Sequence, residues 1–148
     1  MILVVLDTNV IVSGLLSPSG PPARIVDFVV HELIQLVYSG EILGEYTEVL
    51  RRPELKVPGD IVDALLAGIR RRDMVFAITA WPVAMTDRSD AVFLETAAAA
   101  KAVLVTGNLK HYPAAVRLGV EVLSPRAFVD KYDTEVAALR RKRLSEIQ

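Results

Sequence analysis

The run ILVVL at residues 2–6 is apolar at every position and rich in β-branched side chains, the pattern of a strand covered on both faces in a parallel sheet. It predicts a central strand, with Asp7, Thr8 and Asn9 at its C-terminal end. A short apolar segment over 10–16 closes in the turn-rich stretch SPSGPP at 17–22. Residues 23–32 show helical periodicity, with Ile25, Val26, Val29 and Val30 on one face, and LIQLVY at 33–38 predicts a second strand. Ser39 is placed as the N-cap of an amphipathic helix over 41–52, which Pro53 ends. Another helix is expected over 61–72, a third strand over 74–78 and an alanine-rich helix over 90–101. A fourth strand over 102–105 ends in Thr106, Gly107 and Asn108, a short fifth covers 120–123, and helices over 125–132 and 135–146 close the chain. Strands alternating with helices predict an α/β fold around a mainly parallel sheet of about five strands with right-handed crossovers.

At 148 residues the chain is long enough for one domain with a sizeable core, and with Cys 0 it uses no thiol chemistry, disulfide or zinc ribbon. Seventeen basic and eighteen acidic residues give a net charge of −1, so any contact with nucleic acid has to be local. The mean hydropathy of +0.37 is high. The first apolar run nevertheless stops at Asp7, far short of the roughly 20 residues of a spanning helix, and has no basic segment of the kind that opens a secretory signal. A cytoplasmic protein with apolar surface to spare for a partner or a second copy is expected, and no membrane association.

Ligands of such sheets bind at the carboxyl ends of the strands, near a switch in strand order. Asp7 and the Thr106-Gly107-Asn108 turn both belong there, although Asp7 also suits a helix N-cap. In the helix over 41–52, Ile42, Leu43, Tyr46, Val49 and Leu50 form one apolar stripe. At about 100° per residue, Glu45 lies about 100° from the stripe centre, while Glu41 and Glu48 lie roughly 140° and 160° away on the solvated side. Glu45 is therefore the acid able to reach inward, paired or on a metal. Asp87 is spaced as an N-cap, with Asp90 the third helical residue and a further candidate at the strand ends. Carboxylates without Cys or a nearby His suit Mg²⁺ or Mn²⁺ rather than zinc. His31 and His111 are expected in structural or surface roles. Local cations for a substrate are Lys110 and His111 at the rim, Arg88 and Arg24, and the basic run RRKR at 140–143 reads either as a solvated helix face or as an arm for RNA or a protein partner.

Five blocks in order, ILVVLDTN at 2–9, SGEILGEYTEVLRRP at 39–53, DRSDAVFLETA at 87–97, VLVTGN at 103–108 and LSPRAFV at 123–129, resemble the successive motifs of PIN-domain ribonucleases. Within that family the chain is most similar to the PIN toxins of prokaryotic toxin-antitoxin pairs. The resemblance covers about residues 1–130 and implies a single PIN domain over 1–148 of three-layer α/β/α type, with a charged C-terminal helix over 133–148. It implies a metal-dependent endoribonuclease in which Asp7, Glu45 and Asp90 are the catalytic, metal-binding acids and Asn9 and Thr106 support them; Asn108 is expected as a further support, and Arg88 and Lys110, from their places along the chain, are expected to meet the RNA. A cognate antitoxin and a homodimer are the implied partners. The chain departs from the family's pattern in carrying Asn108 after Thr-Gly, where many members have an acid, and Ala91, where related sequences often carry a second one. One Mg²⁺ or Mn²⁺ is then expected to be held, and a second more weakly.

Two other classes compete. An Asp after a central strand also fits aspartyl-phosphate phosphatases, but these need an acid two positions on, where this chain has Asn9. A catalytically weak or inactive PIN-like RNA-binding or regulatory module is the stronger alternative, because of Asn108.

Overall fold

Strand β1 (Leu3–Leu6) lies at the centre of a five-stranded sheet. It is flanked by β2 (Gln35–Tyr38) and β4 (Val103–Val105), with β3 (Asp73–Met74) outside β2 and β5 (Val122–Leu123) outside β4. Every pairing is parallel, with Val4 facing Leu36 on one side and Val103 on the other. The computed structural model describes residues 1–70, 73–74 and 80–148. Most of the strand expected over 74–78, and Arg71 and Arg72 at the end of the helix before it, fall outside the described residues.

The chain leaves β1 toward β2 and β3, then returns to the other side of β1 for β4 and β5. Right-handed crossovers in both directions place helices on both faces, which gives the α/β/α layering. The reversal falls between β1 and β4, the switch point at which such sheets open a crevice for ligands. Val4, Val5, Leu6, Leu104 and Val105 are all buried, as expected of strands covered twice.

Helix α1 (Thr8–Leu16) begins directly after β1, with Asp7 at its N-cap position. Helix α2 (Pro21–Val30) starts on its two prolines, which need no amide partner there. It buries Ile25, Phe28 and Val29, while Val30, expected on the same face, is exposed. The two helices approach closely at Gly14, where a Cβ would sit 2.6 Å from Val26 Cγ2 and 2.9 Å from the Pro22 carbonyl oxygen. Helix α3 (Gly40–Leu50) is capped by Ser39, whose hydroxyl accepts from the Ile42 amide, and α4 (Gly59–Arg70) follows after a 3-10 turn. Helix α5 (Arg88–Ala100) lies across β1, β2 and β4 and is capped by Asp87, and α6 (Ala114–Arg117) is a single turn.

The C-terminal helix differs from expectation. Instead of two helices parted near residue 133, α7 runs Pro125–Ile147 without a break. Asp133 is ion-paired with Arg24 of α2, and Val136 is buried one turn further on. The polar residues between are therefore one turn of a continuous helix on α2.

Candidate functional site

The crevice is built on Asp7. Its backbone amide donates to the Val105 carbonyl, which fixes the end of β1 against the end of β4, and its side chain is buried. Thr106 Oγ1 donates to Asp7 Oδ2 at 2.8 Å, while Asn9 Nδ2 stands 3.5 Å from the same oxygen. Asn9 Oδ1 accepts from the Gly107 amide at 3.0 Å, and Thr106 Oγ1 accepts from the Asn108 amide. Gly107 passes so close to Asn9 that a Cβ would lie 3.3 Å from its Oδ1. Asn9, Thr106 and Asn108 thus brace the two strand ends that carry Asp7.

Burial raises the Asp7 carboxyl above its ordinary value; the Thr106 bond opposes this, and the negative charge of Asp90 adds to it. Asp90, in the first turn of α5, is also raised by burial. His111 draws it down and Asp87 pushes it up. Its Oδ2 lies 3.0 Å from His111 Nδ1, and its Oδ1 lies 3.4 Å from the Tyr112 hydroxyl. Glu45 is half-buried, whereas Glu41 and Glu48 are exposed, as helix geometry predicts, and its Oε2 accepts from Thr8 Oγ1.

The three acids act on one phenol. Tyr112 is raised far above its ordinary value, first by burial and then by the charges of Asp7, Asp90 and, more weakly, Glu45. Tyr46, fully buried beneath them with its hydroxyl on the Leu6 carbonyl, is raised by burial and by Asp7 and Glu45. The carboxylates of Asp7, Glu45 and Asp90 are hard oxygen donors, matched to Mg²⁺ or Mn²⁺. Among the described residues, however, no three His, Cys, Asp or Glu side chains already close into a metal cage. The Asp7–Asp90 pair fits a hard cation in donor type and in like charge, while Glu45 is engaged by Thr8.

The remaining sequence candidates divide. Asp87 caps α5, accepting from the Ser89 hydroxyl and amide, which lower its carboxyl. Arg88 reaches the buried Glu95 at 3.4 Å, and Arg24 pairs with Asp133 rather than standing at the crevice. Lys110 is exposed beside His111. The basic run over 140–143 is partly tied down, with Arg140 on Asp27 and Arg143 on the His31 carbonyl. His31 is an exposed partner of Asp27. His111 is different: it contacts Asp90 through Nδ1 and the Asn108 amide nitrogen through Nε2 at 2.8 Å, so the residue that sequence reasoning set at the rim, in a surface role or as a cation for substrate, is built into the site itself. Tyr112, Tyr46 and Thr8 were missed entirely. The one sequence signal for them was adjacency, Thr8 to Asp7, Tyr46 to Glu45, and His111-Tyr112 to the end of the 106–108 turn.

The sequence profile of the PIN domain matches residues 3–110, spanning β1 to the turn after β4. The chain belongs to the PIN domain family. This PIN domain is 28% identical over 142 residues to an uncharacterized protein of Methanocaldococcus jannaschii, covering 88% of this chain and 91% of that one. Its fold is similar to that in the crystal structure of FitAcB from Neisseria gonorrhoeae, at 20% identity and a TM-score of 0.53, covering 82% of this chain and 97% of that chain. It is also similar to FitAB bound to an IR36 DNA fragment, at 20% identity and a TM-score of 0.51, covering 82% and 94%. Among the described residues of this PIN domain, no helix is long and apolar enough to cross a membrane.

Proposed function

We propose that this PIN domain is a divalent-metal-dependent endoribonuclease acting as the toxin of a toxin-antitoxin pair. The observation that carries the reading is a buried Asp7 at the switch point, with Asp90 near enough for its negative charge to raise the Asp7 carboxyl further. Membership of a family of nucleases supports the activity, and the resemblance of the motif blocks to PIN toxins supports an antitoxin and a homodimer as partners.

Asp7 and Asp90 would hold Mg²⁺ or Mn²⁺, with Glu45 as a third acid once released from Thr8. A divalent ion bound there would lower the pKa of a water for attack at neutral pH and offset the charge that grows on the phosphoryl and leaving oxygens. The chain's own part is to aim the acids. Thr106 and Asn9 fix the Asp7 carboxylate, and Tyr112 and His111 fix Asp90. Both tyrosines remain neutral donors at working pH, so neither competes as a nucleophile.

One observation favours the alternative of a catalytically weak RNA-binding module: the 108 side chain is a neutral amide engaged with His111. Single-stranded RNA incubated with Mn²⁺ or Mg²⁺ separates the two. Cleavage by the wild type that Asp7→Asn abolishes supports the nuclease, whereas binding without cleavage supports the module.

A further inference from the structure

Beside Asp90 lies a cavity of about 250 Å³ that Asp90 lines but Asp7 and Glu45 do not. Ala84, Met85, Pro113 and Val116 give it apolar walls, and Thr86, Asp87, Asp90, Lys110 and His111 border it. Its two walls are tied together: Trp81, at the start of the segment leading to Met85, donates from Nε1 to the Val116 carbonyl at 2.7 Å and from its amide to the buried Glu95. The Tyr112 carbonyl accepts from Arg117 at 2.7 Å, which fixes the other wall from behind. The cavity is thus held open by bonds outside it.

His111 decides what it suits. Both ring nitrogens are engaged, Nδ1 with Asp90 at 3.0 Å and Nε2 with Asn108 at 2.8 Å. What remains for a ligand is the face of a half-exposed ring whose orientation is fixed. A held aromatic face bordered by a thioether and aliphatic side chains is a surface for stacking a flat heterocycle. The volume lies below the roughly 300–1,000 Å³ of pockets that enclose drug-sized ligands, which suits one planar ring system. Lys110 at the rim makes no ion pair with a described residue and can meet a phosphate.

We propose that this cavity is a subsite for a single unpaired nucleobase of the RNA, stacked on His111 between Met85 and Pro113, with Lys110 on the adjoining phosphate. The proposal rests on the ribonuclease reading for its substrate class. It adds where one base of that RNA is held, since a base kept in a helical stack cannot enter.

The test compares single-stranded RNA with the same oligomer carrying one abasic position at successive sites, binding being followed by fluorescence anisotropy. Base stacking in such subsites is worth about 1–3 kcal/mol, roughly fivefold to 150-fold in affinity. Ala84→Trp fills the cavity from an exposed position, and Met85→Ala removes a wall. Both variants are expected to lose about tenfold in affinity for the intact oligomer and little for the oligomer abasic at the sensitive position, while unfolding as the wild type does. Equal affinity of wild type and Ala84→Trp for the intact oligomer overturns the subsite, even where RNA is cleaved. AMP and UMP, titrated against the wild type with the Met85 methyl resonance as reporter, separate this from failure of the ribonuclease reading. A Met85 shift that Ala84→Trp abolishes, in a protein that cleaves no RNA, keeps the subsite and removes the nuclease. A protein segment in place of RNA would show as no Met85 shift with either nucleotide, which also overturns the proposal.

Discussion

Thr106 and Asp7, 99 residues apart in sequence, share a hydrogen bond of 2.8 Å that joins the ends of the two strands at the switch point. The Thr106 hydroxyl also accepts from the Asn108 amide, so one side chain fixes both the acid and the turn beside it. Thr106→Val leaves a buried carboxylate without its strongest donor. A loss of about 1.5–3 kcal/mol is expected at neutral pH without metal, with most of it recovered in Thr106→Ser. Urea unfolding checks this, and equal midpoints for wild type and Thr106→Val would contradict it.

The raised Asp7 carboxyl gives stability a definite pH dependence. Its folded value lies above the ordinary 3.8, so the neutral form is favoured by folding. The associated stability is fully present below 3.8 and is lost as pH rises through the folded value. Asp90 contributes with the same sign, and Asp87, which is lowered, with the opposite one. The difference between wild type and Asp7→Asn isolates the Asp7 part. Metal-free Asp7→Asn is expected to gain on the wild type between pH 4 and pH 7, and a gain that shrinks over that interval would refute the assignment.

A divalent ion should reverse that penalty. Bound only by the folded state, Mg²⁺ or Mn²⁺ at a hundred times its Kd adds about 2.7 kcal/mol. A raised melting temperature with Mn²⁺ is expected for the wild type and its absence for Asp90→Ala. A full response in that variant, or in Asp7→Asn, would move the ion elsewhere.

The His111 ring provides a spectroscopic check. The Asn108 amide nitrogen can only donate, so Nε2 accepts and Nδ1 carries the proton directed at Asp90. Nitrogen-15 shifts of the neutral ring should show protonation at Nδ1. Asn108→Asp, which cannot donate to Nε2, should place a proton there instead. The Nε2–H tautomer in the wild type would contradict the described network.

What could be read from the sequence was whatever depends on local periodicity and capping. The unbroken apolar run of β1, the Ser39 and Asp87 caps and the inward tilt of Glu45 relative to Glu41 and Glu48 all follow from spacing along one element. Element ends were less legible, because Gly40, Gly59 and the prolines of α2 start helices without contributing to an apolar stripe. The continuity of α7 depends on Arg24 and on the burial of Val136, which belong to its packing against α2. His111 and Tyr112 lie in and just after a three-residue 3-10 turn, where no period tells which side faces the acids. Their roles become visible only when α5 is laid against the end of β4.

The close approach at Gly14 makes the first helix a rigid lever rather than a passive cover. Thr8 and Asn9 stand in its first turn, six and five residues from Gly14, and one grips Glu45 while the other braces Gly107. A methyl group at 14 has no room against Val26 or the Pro22 carbonyl, so it would displace the whole helix instead of being absorbed locally. A substitution on the side remote from the crevice would thereby alter the aim of carboxylates it never touches, and the fit between two surface helices becomes part of the tuning of the site.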